Sequence, residues 1–124
     1  MTRSIATIAA ALRHVRNARR WKPGRDIPHL RKRQRKGHLS SGASMETYNQ
    51  IIQDLVHAPS SLTYHYPVGG HHYYAVRGKI DKKEWLVIFD ASGVLETAFP
   101  PTDMDTYLDS HGFEYVGTIE EVLS

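Results

Sequence analysis

Between positions 29 and 38 the chain carries His29, Arg33, Lys36 and His38 within a stretch that also holds Arg31, Lys32 and Arg35. On a helix, positions i, i+4 and i+7 share a face, so His29, Arg33 and Lys36 can line one surface. Fixed cations beside a titratable imidazole suit a phosphodiester. Metal-independent RNA cleavage needs a base for the 2′-hydroxyl, an acid for the leaving 5′-oxygen and a cation for the charge of the phosphorane. His, Lys and Arg can fill all three roles. His38, directly after the run, is the first candidate for acid/base work. Read as a bare charge run, the same stretch fits phosphate binding with no bond broken, or a solvated face.

Other residues could join such a site. Thr97 interrupts an apolar face between Leu95 and Phe99, although a strand Thr is more often only a strand former. Tyr64, Tyr66, Tyr73 and Tyr74 offer rings on which unpaired bases could stack, and cross-strand packing accounts for them equally well. His71 and His72 are adjacent in an extended run and should point to opposite faces, which opposes a shared metal ion. Asp54, Asp90, Glu96 and Asp103 lack the repeated spacing of a two-metal nuclease, and no H-E-x-x-H, P-loop or G-x-S-x-G pattern occurs. Neither a metal nor a cofactor is expected.

The charge distribution supports a polyanionic ligand. Residues 1–40 hold 12 Lys and Arg against Asp26 alone, whereas residues 41–124 hold 4 against 12 Asp and Glu. A field of that shape draws a phosphate backbone to one side, and RNA fits it better than a lipid surface does. The chain has no cysteine, which removes disulfides, thiolate zinc sites and a cysteine nucleophile together. No apolar run approaches the roughly 20 residues that span a bilayer, so no membrane role is expected.

Elements able to position these residues follow from periodicity. Ile5, Ile8, Leu12 and Val15 form a helical stripe over 4–19, and the Pro23-Gly24 turn marks a boundary. An N-terminal amphipathic helix or linker over 1–22 and a compact domain over 23–124 are therefore expected. Asp26 is the expected cap of a short basic helix that Gly37 stops. Ser44 caps the next helix, which carries Tyr48, Ile51, Ile52 and Leu55 and ends before Pro59. Four strand-like runs follow, 61–66, 71–77, 84–90 and 94–99, with Trp85–Phe89 apolar on both faces and so central. Along the last run Leu95, Thr97 and Phe99 should share one face. A short helix around Met104, Tyr107 and Leu108 ends at Gly112, an edge strand covers 113–116, and Thr118 with Glu121 forms a capping box. The predicted fold class is α+β, with N-terminal helices packed on a four-stranded antiparallel meander.

Taken together, Lys36-Gly37-His38-Leu39-Ser40, Glu46-Thr47-Tyr48-Asn49, Trp85–Phe89 and Glu96-Thr97-Ala98-Phe99-Pro100-Pro101 resemble toxin-type ribonucleases of the barnase/EndoU/colicin/RelE superfamily. The resemblance covers about residues 29–117 and leaves the first helix unmatched. It implies a metal-independent endoribonuclease cutting tRNA and leaving a 2′,3′-cyclic phosphate. It also implies action in the bacterial cytoplasm, delivery from a larger secreted protein or a toxin–antitoxin pair, and an acidic immunity protein or antitoxin as partner. In such enzymes an early His or Lys meets a late Ser or Thr across the sheet, which maps onto Lys36 or His38 and Thr97. Arg33, Tyr74 and Glu96 are further catalytic candidates. His29, Arg31, Lys32, Arg35 and Trp85 are RNA-binding candidates. Two other readings stand beside this one: a non-catalytic RNA- or DNA-binding module, and a partner-binding antitoxin or immunity factor that docks through its acidic second half.

Overall fold

The computed structural model describes residues 5–17 and 20–124. Helices α1 (Ile5–Asn17), α2 (Asp26–Arg35) and α3 (Met45–His57) come first, with a two-residue strand β1 (Arg20–Trp21) between α1 and α2. Strands β2 (Leu62–Val68), β3 (His71–Ile80), β4 (Lys83–Asp90) and β5 (Val94–Phe99) follow. Helix α4 (Met104–His111), strand β6 (Glu114–Thr118) and helix α5 (Ile119–Leu123) complete the chain. The α+β class and the β2–β5 meander agree with expectation, but the sheet has six strands in the order β1-β5-β4-β3-β2-β6. Strand β6 pairs antiparallel with β2, and β1 pairs parallel with β5, making the sheet mixed. A two-residue strand such as β1 has no periodicity for the sequence to display.

The expected boundary after residue 22 is not observed. Helix α1 places Ile8, Ala9, Ala11, Leu12 and Val15 in the main core beside Tyr48, Ile52, Val76, Trp85 and Phe89. Gly93, in the β4–β5 turn at φ 82°, lies so close to α1 that an added Cβ would stand 2.6 Å from the Val15 nitrogen. The amphipathic stripe is thus a core-facing surface, and β1 joins the same sheet.

Local capping follows simple chemistry. Ser44 accepts from the Thr47 amide at 3.1 Å, Asp103 caps α4 through the Thr106 amide at 3.2 Å, and Thr118 and Glu121 form the reciprocal capping box of α5. Gly37 and Gly112 take the left-handed conformation that stops α2 and α4. Asp26, in contrast, is the first residue of α2, Arg25 occupies the cap position, and no side chain caps this helix. Asp26 instead places its charge in the first turn, where the helix dipole favours an anion.

The two sheet faces bury different clusters. One face carries Tyr74, Val76, Trp85, Val87, Phe89, Leu95 and Ala98 against α1, α3 and α5. The other carries Tyr64, Ala75, Leu86 and Ile88 with Met104 and Leu108 of α4, and Tyr66, Tyr73, Phe99 and Tyr107 pack around them. Trp85 through Phe89 are all buried, as a central strand covered on both faces must be. The expected grouping of Leu95 with Thr97 and Phe99 does not hold. Strand β5 slips register beside Ile88 and Phe89, so Leu95 pairs with Phe89, while Thr97 pairs with Ile88 and Phe99 with Leu86. This bulge leaves Leu95 and Ala98 toward α1 and α3 and turns Thr97 and Phe99 to the opposite face.

Candidate active site

The bulge, helix α2 and helix α4 together border a cleft of about 1070 Å³. Helix α2 packs against β5, with His29 beside Thr97 and Arg33 over Phe99. His29, Lys32, Arg33, Lys36 and His38 line one side of the cleft, and Arg25 joins them. Thr97 and Phe99 lie on its floor, and Tyr66, Tyr73 and Tyr107 contribute to its other side.

His29 is the residue that reaches Thr97, with Nδ1 3.3 Å from Oγ1. Its ring stacks on Trp21, with centroids 5.6 Å apart, and Trp21 is itself anchored by donating Nε1–H to Asn49 Oδ1 at 2.9 Å. Strand β1 therefore fixes the imidazole from behind. The Tyr48 hydroxyl donates to the Ala98 carbonyl, which ties α3 to the residue that follows Thr97. Burial holds the His29 pKa below the ordinary imidazole value, and Arg33, Arg25 and Lys32 add to this, while a hydrogen bond to the Glu96 backbone opposes it.

Arg33 is the unusual group. It is only 3% exposed, yet among the described residues no carboxylate lies within ion-pairing distance, and its Nε has no hydrogen-bond partner. Its guanidinium sits 5.4 Å over the Phe99 ring, and one terminal nitrogen donates to His38 Nδ1 at 3.1 Å. Because arginine only donates, His38 Nδ1 must accept, which puts the His38 ring proton on Nε2. The stop of α2 creates this contact: the His38 amide bonds back to the Arg33 carbonyl at 2.8 Å, folding the chain onto the helix. Desolvation pulls the Arg33 pKa below its usual value, although arginine stays charged. Desolvation also lowers His38, followed by the charges of Arg33, Lys83 and Lys36.

Arg77, itself partly buried, provides a contrast. Arg77 donates to both oxygens of Glu84 at 2.8 and 3.1 Å and to Asp105 at 3.0 Å, which raises its pKa. Arg77 thus fastens β3, β4 and α4 together. Arg33 has no such neutralisation. A buried guanidinium without an acid is costly unless an anion can complete its shell.

The acidic groups of the cleft are few. Glu96 lines it beside Lys22, whose Nζ is 3.6 Å away, and Asp103 stands at the start of α4. Four Lys and Arg side chains, Arg25, Lys32, Arg33 and Lys36, outweigh them.

Two candidates are misplaced for chemistry. Tyr74, fully buried, and Trp85, 2% exposed, point into the core under α1 and α3, so neither can meet RNA in the cleft. Both sit in strands covered on this face, and an apolar run cannot tell which rings the helices will cover. Arg31 and Arg35 are exposed on α2 and do not border the cleft. Of the four tyrosines considered for stacking, Tyr66 and Tyr73 line the cleft, whereas Tyr64 packs edge-on against Phe113 and Tyr115. Phe99 and Tyr107 were missed as site residues, since their spacing is that of ordinary core positions.

A second polar cluster also escaped sequence reasoning. His65 is 2% exposed and joins Glu114 Oε1 through Nδ1 at 2.7 Å and His72 Nδ1 through Nε2 at 2.8 Å. It lies on the face opposite the cleft and links β2, β3 and β6, and a lone strand His gives no sign of such partners. Among the described residues no three His, Asp or Glu side chains are grouped as a metal site. No described helix is long and apolar enough to cross a membrane.

Comparison of the chain with protein-family models, curated proteins and solved structures finds no match.

Proposed function

We propose that the protein is a metal-independent endoribonuclease of the toxin type, cutting RNA, with tRNA the favoured substrate, by attack of the 2′-hydroxyl on the adjacent phosphate. The observation that carries the reading is Arg33: a buried cation with no acid partner among the described residues, bordering the same cleft as the His29–Thr97 pair. A phosphodiester would supply the missing anion, and Arg33 with Lys32 and Lys36 would offset the charge that grows on the phosphorane. His29, kept neutral by its surroundings and oriented by Thr97 and Trp21, would take the 2′-hydroxyl proton. Lys36 stands as the donor for the leaving 5′-oxygen, and His38 can share that role only as the imidazolium, which requires its Nδ1 to release Arg33 and take up a proton. The attack breaks the P–O5′ bond as the P–O2′ bond forms, and yields a 2′,3′-cyclic phosphate and a 5′-hydroxyl.

Such an enzyme would require restraint in its producer, and the cationic cleft suits an acidic immunity protein or antitoxin that covers it. Delivery from a larger secreted protein into a bacterial cytoplasm belongs to the same reading.

Incubating the purified protein with total tRNA in EDTA tests the proposal. Discrete fragments ending in 2′,3′-cyclic phosphate are expected. Intact RNA after prolonged incubation with a stoichiometric amount of folded protein would overturn catalysis. If that protein still bound the RNA, the cleft would be that of a non-catalytic binding module.

A further inference from the structure

The cleft has two chemically different halves, and only one of them serves a phosphate. The cationic half comes from α2 and the residues after it. The other half brings Tyr66 and Tyr73 of neighbouring strands and Tyr107 of α4 to the same opening, each half-buried. These rings form a continuous aromatic set. Tyr66 stacks on Phe113 with centroids 3.9 Å apart and planes 7° from parallel, Tyr66 and Tyr73 lie 6.3 Å apart, and Tyr107 meets Phe99 edge-on at 5.2 Å. Phe99 in turn lies under the Arg33 guanidinium, so the aromatic half begins where the phosphate half ends.

Polar groups for a base edge border the same half. Thr106 and Ser110, one turn apart on α4, line the cleft with exposed hydroxyl groups, and Asp103 adds an acceptor. The whole cleft, at about 1070 Å³, slightly exceeds the roughly 300–1,000 Å³ of small-ligand pockets, which is room for more than one nucleotide.

From this juxtaposition we infer that the aromatic half is a nucleobase subsite, and that the ligand is single-stranded RNA with at least one base unstacked into the cleft. A duplex keeps its bases paired and stacked inside, where a concave aromatic wall cannot reach them, and offers mainly backbone and 2′-hydroxyl contacts. Splayed bases of a loop or single strand can stack on tyrosine rings while their phosphates meet Arg33 and Lys32. The inference rests on the RNA-binding part of the proposed function and adds the conformation of the substrate.

The experiment uses a 12-nucleotide RNA with 2′-O-methyl groups throughout, which blocks the attacking hydroxyl. The labelled strand is titrated alone and annealed to its complement, with fluorescence polarisation as readout. The whole protein is compared with its Tyr66→Leu, Tyr73→Leu and Arg33→Met variants, each checked for a wild-type circular dichroism spectrum. Single-strand binding is expected to exceed duplex binding about tenfold. Each tyrosine variant should weaken the single strand by roughly 5- to 150-fold, the range for one stacked base, and leave the duplex unchanged. Arg33→Met should weaken both probes. Equal binding of strand and duplex, or full single-strand affinity in both tyrosine variants, would overturn the base subsite while the Arg33 dependence kept the phosphate site standing. No binding of either probe by the wild-type protein at low salt would overturn the RNA reading itself.

Discussion

His29 Nδ1 stands 3.3 Å from Thr97 Oγ1 although the two residues are 68 positions apart in the chain. The contact joins helix α2, which packs against β5, to the residue that a β-bulge turns toward the cleft. It brings one imidazole and one hydroxyl together where Arg33, Lys32 and Lys36 supply positive charge.

The pair predicts unequal losses. His29→Gln removes the base and should lower cleavage by roughly 10²–10⁴-fold, the usual contribution of a positioned base. Thr97→Val keeps the shape and removes one hydrogen bond, typically about 0.5–1.5 kcal/mol, so a loss nearer tenfold is expected. Single-turnover rates on tRNA measure both. Equal losses would mean that Thr97 touches the reacting atoms rather than positioning His29.

Arg33→Met predicts opposite signs for binding and stability. The methionine is apolar, flexible and able to fill the space under His38, and it removes a buried charge that no acid offsets. Replacing a poorly compensated buried charge by an apolar residue is often neutral or stabilising by about 1–4 kcal/mol. Thermal melting should therefore show a midpoint equal to or above wild type, while RNA affinity falls. A much lower midpoint would show that the Phe99 contact and the His38 bond outweigh the burial cost.

Acid should destabilise the protein through His29 and His38. Both have folded pKa values below the ordinary 6.5, with burial the first cause in each case. Between the folded value and 6.5 the unfolded chain binds more protons, so stability rises with pH. Their contribution is complete above about pH 6.5, declines as the pH falls, and is gone below the folded values. Urea titrations at pH 7.5 and 5 should give the lower unfolding free energy at pH 5. The His29→Gln and His38→Gln double variant should lose part of that difference.

Helix α1 should prove inseparable from the rest of the fold. Leu12 is fully buried, and truncating such a leucine to alanine typically costs about 2–5 kcal/mol. Leu12→Ala should shift urea unfolding by that amount, and removal of residues 1–22 should leave a chain with no cooperative transition. A cooperative, wild-type-like melt of the shortened chain would restore α1 to an appendage.

Sequence alone determined what local chemistry and periodicity decide. The Ser44 cap, the Gly37 and Gly112 stops, the Thr118–Glu121 capping box and the buried run Trp85–Phe89 each depend on neighbours a few residues away, and each was legible. The charge polarity also needs no fold, and it marked the basic helix with His29, Arg33 and Lys36, whereas Thr97 opposite His38 or Lys36 was what the family resemblance implied. What lay beyond reach were pairings between distant parts of the chain. A two-residue β1 has no period, yet it places Trp21 behind His29. One extra residue in β5 reverses every face after it, so Thr97 came to the cleft by a bulge that strict alternation cannot register. Tyr74 looked available because its strand gives no sign of which side α1 and α3 will cover, whereas Trp85 belongs to the run whose burial was already legible and was a poor choice for contact with RNA. The choice of His29 over His38 as the partner of Thr97 came from the same source. Helix α2 packs against β5, and only the packed structure decides whether the imidazole on the helix or the one just after it meets that strand.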